Sequence, residues 1–201
     1  VKLGVLGGTF DPIHIGHLVV AEEARTKLEF DEVVFVPAGQ PWLKLDRDIA
    51  PAIHRVEMVR RAIAGNPHFR LSTLEIERPG PSYTVDTLTK LQEQLGRETS
   101  LYFLVGHDTL AELPQWKEPK RVAELCRLVV APRIGSGNLR RLKAEIPGLL
   151  DKIIQLDMPV IGISSSDIRR RIAQGLSIRY LVPLQVEKYI AEHRIYPTPT
   201  G

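Results

Sequence analysis

Short, almost wholly apolar runs recur along this chain, separated by longer segments of helical period. The runs are Lys2 to Leu6, Glu32 to Pro37, Arg70 to Ser72, Leu101 to Gly106, Leu128 to Ala131 and Ile153 to Asp157. A strand covered on one face alternates apolar and polar residues, whereas a strand covered on both faces is apolar throughout. Helices are expected near 16–29, 52–65, 84–95, 108–112, 119–125, 139–146, 165–174 and 184–193. This alternation implies an α/β fold, a Rossmann-like, doubly wound parallel sheet with helices on both faces. Pro51 and Pro183 suit first-turn helix positions, and Gly175 suits the residue just past a helix end.

In such a sheet ligands gather where strands end and helices begin. That rule directs attention to residues 7–17, 37–45, 106–108 and 162–169. Residues 1–196 are expected to form one domain and 197–201 a flexible tail, within a loose closing segment "YPTPTG". The formal charge of +3 is too mild to point to nucleic acid, but it fits a polyphosphate substrate if focused in one cleft. The single Cys126 excludes a disulfide framework and a cysteine zinc cage, and its place before an apolar run suits buried packing. No apolar run approaches membrane-spanning length and the chain opens directly into "KLGVLGG", so neither a membrane nor a signal peptide is expected. The expected location is the cytoplasm.

Gly7-Gly8-Thr9-Phe10 follows the first strand, where glycines allow close approach of backbone to a ligand and positive φ. His14 and His17 stand at i and i+3 around the next helix start, so a helical turn places both imidazoles on one face. Unsatisfied N–H groups there favour an anion, and two imidazole donors suit a polyphosphate whose charge shifts during reaction. A metal pair is disfavoured because H-E-x-x-H and a third ligand are missing, and G-x-G-x-x-G is not present. The four letters His14-Ile15-Gly16-His17 are shared with class I aminoacyl-tRNA synthetases. The fuller "GGTFDPIHIGH" resembles the bacterial nicotinate-nucleotide adenylyltransferases, whose histidines bind ATP phosphates and stabilise the transition state.

A second site is suggested by "GISSSDIRRRI", residues 162–172. Ser164 with Asp167 three residues on is a helix-start pattern, and Ser165 and Ser166 add hydroxyls in the first turn. Successive helix positions turn by ~100°, so Ile168 and Ile172 mark the buried stripe and Arg170 lies nearly opposite. Arg169 and Arg171 flank that stripe, and Arg169, nearer the N-terminal turn, can fork onto phosphate oxygens. The family resemblance implies ATP contact at Ser164 and Ser165, with Arg169 on the triphosphate.

Three features between these signatures concern the acceptor. "PSYTVDTL" (81–88) reads as a turn opening a helix, with Ser82 or Thr84 as cap and N–H groups suited to a small carboxylate. "VGHD" (105–108) puts Gly106 and Asp108 at the ligand edge, where Asp108 serves Mg²⁺ or a ribose hydroxyl, or caps the next helix. Trp116 offers an indole for stacking, although tryptophan more often packs in a core. The resemblance implies a nicotinate site at Ser82, Tyr83, Thr84 and Trp116, and places Gly106 and Asp108 at the nucleotide. It extends through "HRVEMVRRAI" and "YIAEHRIY", essentially the whole chain.

Two departures stand out. The family usually has Pro-x-His-Lys where this chain has Pro41-Trp42-Leu43-Lys44, so Leu43 replaces the histidine and Lys44 remains as a phosphate-binding cation. Arg133 is followed by Ile134-Gly135 where Pro-Gly is usual, which leaves Arg133 a weaker nucleotide contact. The expected reaction is transfer of AMP from ATP to nicotinate mononucleotide, giving deamido-NAD and pyrophosphate. Mg²⁺ is expected to be held mainly by substrate phosphates, with no protein metal site and no nucleic-acid partner; homo-oligomerisation is left open. Rival acceptors are nicotinamide mononucleotide and phosphopantetheine, and the rival class is a nucleotide-sensing module without turnover.

Overall fold

The computed structural model describes residues 1–41, 48–132, 146 and 148–196. Within them lie six strands: β1 (Lys2–Gly8), β2 (Glu32–Pro37), β3 (Phe69–Leu71), β4 (Ser100–Gly106), β5 (Cys126–Ala131) and β6 (Ile153–Gln155). They form one wholly parallel sheet in the order β3-β2-β1-β4-β5-β6. The order reverses between β1 and β4, which opens the crevice where such sheets receive ligands. Alternate side chains of β1 enter opposite cores: Leu3 and Val5 join Leu88, Leu101 and Phe103, while Leu6 joins Phe10, Phe35 and Met58. Both faces are therefore covered, which is why the strands read as apolar throughout.

Eight α-helices accompany the sheet among the described residues: α1 (Ile15–Leu28), α2 (Ala52–Ile63), α3 (Leu74–Glu77), α4 (Thr84–Leu95), α5 (His107–Ala111), α6 (Pro119–Leu125), α7 (Ser165–Ala173) and α8 (Leu184–His193). The expected strands and helices are present wherever their residues are described. The four-residue α3 has too few turns to show a period and escapes a sequence reading, and the helix near 139–146 lies outside the described residues except for Ile146, which is buried. Pro51 and Pro183 stand one residue before their helices, as N-caps rather than in the first turn. Gly175 has φ +69° just beyond α7, as the helix-end pattern requires. Cys126 is buried, and burial pushes its thiol pKa up to about 12, so it is an inert packing residue. No described helix is long and apolar enough to cross a membrane.

Candidate active site

The chain leaves β1 by a sharp turn. Phe10 takes φ +50°, a left-handed conformation uncommon for a bulky side chain, and the Asp11–Pro12 bond is cis. This corrects the expectation for the double glycine: Gly7 and Gly8 remain in the strand opposite Val36 and Pro37, and the positive φ belongs to Phe10. Their value is space. A Cβ on Gly7 would meet Phe103 at 3.2 Å, and one on Gly8 would meet the Phe10 ring at 3.1 Å.

His14 caps α1 from extended backbone and His17 follows in its first turn. The two rings stack at 3.7 Å between centroids, and His17 also meets the edge of Phe10 at 5.1 Å. The His14 N–H donates to His17 Nδ1 at 3.2 Å. An accepting Nδ1 puts the proton of neutral His17 on Nε2, making that nitrogen the ring's donor. His14 is 7% exposed, its Nδ1 has no hydrogen-bond partner among the described residues, and burial lowers its pKa to about 4. It is therefore a neutral imidazole near pH 7. Gly16 makes this packing feasible, since a Cβ there would lie 3.0 Å from His14 Nδ1. The backbone contributes less than expected at this helix start, because the Ile15 N–H donates to the Leu181 carbonyl at 2.9 Å.

The second signature docks directly onto this turn. Ser164 caps α7 by accepting the Asp167 N–H at 3.1 Å, as its sequence pattern implies. Ser165 Oγ donates to the Pro12 carbonyl at 2.9 Å. Arg169 Nη1 donates to the Asp11 carbonyl at 2.6 Å and lies 3.6 Å from the Asp11 carboxylate, while Nη2 reaches Ser166 Oγ at 3.3 Å. Ile168 is fully buried, and Arg170 points outward and pairs with Asp167. Segments more than 150 positions apart thus meet beside the two imidazoles.

Three residues of this cluster carry no assignment from sequence. The buried Asp11 carboxylate accepts the Ala50 N–H at 3.3 Å and the Tyr196 hydroxyl at 2.7 Å. Tyr196 is therefore anchored, which corrects the expectation that "YPTPTG" is loose from its first residue; 197–201 lie outside the described residues. Burial, with the negative charge of Asp11, pushes the Tyr196 phenol pKa up and keeps it a donor. Arg55, 2% exposed, donates to the carbonyls of Ala50 (2.9 Å), Thr9 (2.9 Å), Ala38 (2.7 Å) and Gly39 (3.4 Å). Burial pulls its pKa down while Asp11 pulls it up, and a guanidinium keeps its proton regardless. One cation thereby ties the exits of β1 and β2 together. Its place could have been read from Arg55, Val59 and Ile63 at i, i+4 and i+8, an arginine on an apolar stripe.

On the acceptor side the expectations need correcting. Tyr83, not Ser82 or Thr84, is the N-cap of α4, and no side chain caps it. Ser82 Oγ instead accepts the N–H groups of Gly39 (2.9 Å) and Gln40 (3.2 Å). Lys117 lies 4.9 Å from the Tyr83 ring centroid and pairs with Asp86 at 3.1 Å. Trp116 is buried in the core with its ring edge-on to Phe103 at 5.9 Å, and its Nε1 has no hydrogen-bond partner among the described residues. Gly106 ends β4 and caps α5 through its backbone, so Asp108, exposed in the first turn, is not a cap. Lys44, Leu43 and Arg133 lie outside the described residues.

A cytidylyltransferase-like family model matches residues 5–171. A probable nicotinate-nucleotide adenylyltransferase of Thermomicrobium roseum is 50% identical over 98% of this chain and 92% of its own length. One from Dehalococcoides mccartyi is 47% identical over 97% of each chain. The chain belongs to the nicotinate-nucleotide adenylyltransferases of the cytidylyltransferase-like family. The fold agrees with that of a Plasmodium falciparum nicotinic acid mononucleotide adenylyltransferase solved with NaAD, at TM-score 0.80, 20% identity and 97% coverage of both chains. The stacked imidazoles follow the turn onto which Arg169 docks, and Ser82 bonds the backbone just past β2.

Proposed function

We propose that His14, His17 and Arg169 act on the phosphates of ATP in the reaction of this family. That reaction is transfer of AMP from ATP to nicotinate mononucleotide, which gives deamido-NAD and pyrophosphate in NAD synthesis. A mononucleotide phosphate is already ionised near neutral pH, so it attacks the α-phosphorus without a general base. Catalysis then rests on alignment and on stabilising charge that moves to the leaving pyrophosphate. Neutral His14 contributes shape and a hydrogen bond rather than a full charge. His17, protonated on Nε2, donates toward the phosphates, and Arg169 supplies the permanent positive charge. Gly7, Gly8, Thr9, Phe10, Gly106 and Asp108 surround the nucleotide, and Tyr83 and Thr84 carry the acceptor's polar contacts. Lys44 aligns the acceptor phosphate. The reading assigns this work to the cytoplasm.

Mg²⁺ would neutralise the triphosphate charge. Among the described residues no group of three or more His, Cys, Asp or Glu is arranged to hold a metal, and Asp11 is already bonded to Ala50, Tyr196 and Arg169. Such an ion would be held by phosphate oxygens and water, the usual state of Mg²⁺.

The observation that carries the reading is Arg169 bonded to the turn that leads into His14. The test is a pyrophosphate-release assay with nicotinate mononucleotide, nicotinamide mononucleotide and phosphopantetheine as acceptors. Turnover should be greatest with the first. His17→Ala and Arg169→Ala should each raise the barrier by about 2–4 kcal/mol while the far-ultraviolet spectrum is unchanged. Near-normal turnover in either folded variant overturns its assigned role.

A further inference from the structure

Arg55 takes no part in the chemistry described above, yet it is buried near the start of α2. Burying a cation costs free energy unless it is hydrogen-bonded, and the start of a helix disfavours positive charge. Four backbone carbonyls offset both, and they come from three separate segments. The β1–β2 ladder ends where the Ala38 N–H donates to the Gly8 carbonyl at 2.9 Å. Past that bond the guanidinium takes over, holding Thr9 at 2.9 Å on one side, and Ala38 at 2.7 Å and Gly39 at 3.4 Å on the other. Ala50 closes a second loop: its carbonyl accepts from Arg55 Nε at 2.9 Å and its N–H donates to the Asp11 carboxylate at 3.3 Å. Beyond Gly39 the chain of bonds continues. Ser82 Oγ accepts the N–H groups of Gly39 and Gln40, and the Ser82 N–H donates to the Gln40 carbonyl at 2.9 Å. A run of hydrogen bonds thus joins Thr9, in the turn that leads to His14, through Arg55 and Gly39 to Ser82, which directly precedes Tyr83 and Thr84.

We infer that Arg55 is a positioning residue that sets the spacing between the phosphate turn, 9–14, and the acceptor turn, 82–84, and so governs turnover without governing affinity for either substrate. The inference rests on the roles assigned above to His14, His17 and Arg169 at the donor phosphates and to Tyr83 and Thr84 at the acceptor. At 2% exposure, with four of the five guanidinium N–H groups committed to backbone, Arg55 orients the protein and does not touch substrate. Each substrate therefore keeps its own contacts when Arg55 is changed. What shifts is where one turn stands relative to the other. In-line attack needs the reacting atoms aligned at about 3–3.5 Å, and a misplacement of about 1 Å costs about a hundredfold in rate.

Arg55→Lys keeps the charge, but an ammonium carries its three N–H groups on one atom and cannot span four carbonyls. Ser82→Ala cuts the same chain of bonds at its far end and leaves Arg55 in place. Initial rates against ATP and nicotinate mononucleotide are read beside calorimetric titration with a non-hydrolysable ATP analogue, which counts folded sites. Each variant should bind the analogue with parental stoichiometry and keep both KM values within about twofold of the parent, while kcat falls about tenfold or more. The double variant should be little worse than the poorer single one, as for two cuts in one chain. Parental kcat in either folded variant, a KM that rises about tenfold for either substrate, or additive losses in the double variant would overturn the inference. A fall in kcat matched by an equal fall in binding sites overturns it too, since that is loss of folded enzyme. Should Arg55→Lys fail to fold, Ser82→Ala decides by the same criteria. A parent enzyme that does not turn over nicotinate mononucleotide removes the acceptor reading itself. A parent that does, with unimpaired variants, removes only the role of Arg55.

Discussion

His14 and His17 share one motif yet carry different electrostatic consequences. His14 is buried against Gly16 and the His17 ring, so its folded pKa lies near 4 against an ordinary 6.5. Above pH 6.5 the imidazole is neutral in both the folded and unfolded chain and has no effect on the balance. Between 6.5 and 4 the unfolded chain binds a proton that the folded chain refuses, so stability falls as pH drops through that window and levels off below it. The full loss attributable to His14 is about 3 kcal/mol. Urea unfolding at a series of pH values, for the parent and for His14→Asn, measures it. The parent should lose more stability than the variant between pH 6.5 and 4.5, and parallel curves would show that His14 does not titrate as described. Asp11 is a buried carboxylate that accepts two hydrogen bonds and pairs with Arg169.

Among the elements, α1 shows most clearly how local preference yields to the site. Gly16 stands in the first turn of a helix, where alanine is favoured by about 0.5–1 kcal/mol over glycine. Yet a methyl there would stand 3.0 and 3.1 Å from two atoms of the His14 ring, which must then shift by a few tenths of an ångström. Gly16→Ala should leave the melting temperature equal or higher while kcat/KM falls at least tenfold, a pairing that calorimetry and initial rates will resolve. A drop in both together would point to general damage. The strands, α1, α2, α4 and α7 were legible in the sequence because period and apolar runs report burial directly. The meeting of the His14 turn with the Arg169 helix was legible because both motifs lie where strands end and helices begin. Glu75, buried on α3 where it accepts the Thr87 hydroxyl, was not, since α3 is one turn long and a buried glutamate looks like any polar turn residue. Ser82 was misassigned as a cap for a related reason: the letters Ser-Tyr-Thr before a helix suggest one, whereas its partners lie just past β2, 42 and 43 positions earlier. Trp116 fits the commoner fate of an indole, core packing, and sequence alone could not weigh that against stacking.

The molecule as a whole is closed by its C-terminal third folding back onto the first turn. Ser165 and Arg169 reach Pro12 and Asp11, and Tyr196 reaches the Asp11 carboxylate across 185 positions. Asp11 is thus the point where both termini of the fold meet, and its carboxylate stands between the Tyr196 hydroxyl and the Arg169 guanidinium. Removing the hydroxyl leaves a buried anion short of one donor, at a stability cost of about 1–3 kcal/mol. It also leaves Arg169 as the stronger of the remaining partners of Asp11, so the guanidinium is drawn toward the carboxylate and away from an incoming triphosphate. Tyr196→Phe, which keeps the ring and its packing, should lower the melting temperature and raise the KM for ATP a few-fold, with the acceptor KM unchanged. A Tyr196→Phe enzyme with parental melting temperature and parental ATP KM would mean that the C-terminal tyrosine merely covers the turn and does not tune the arginine.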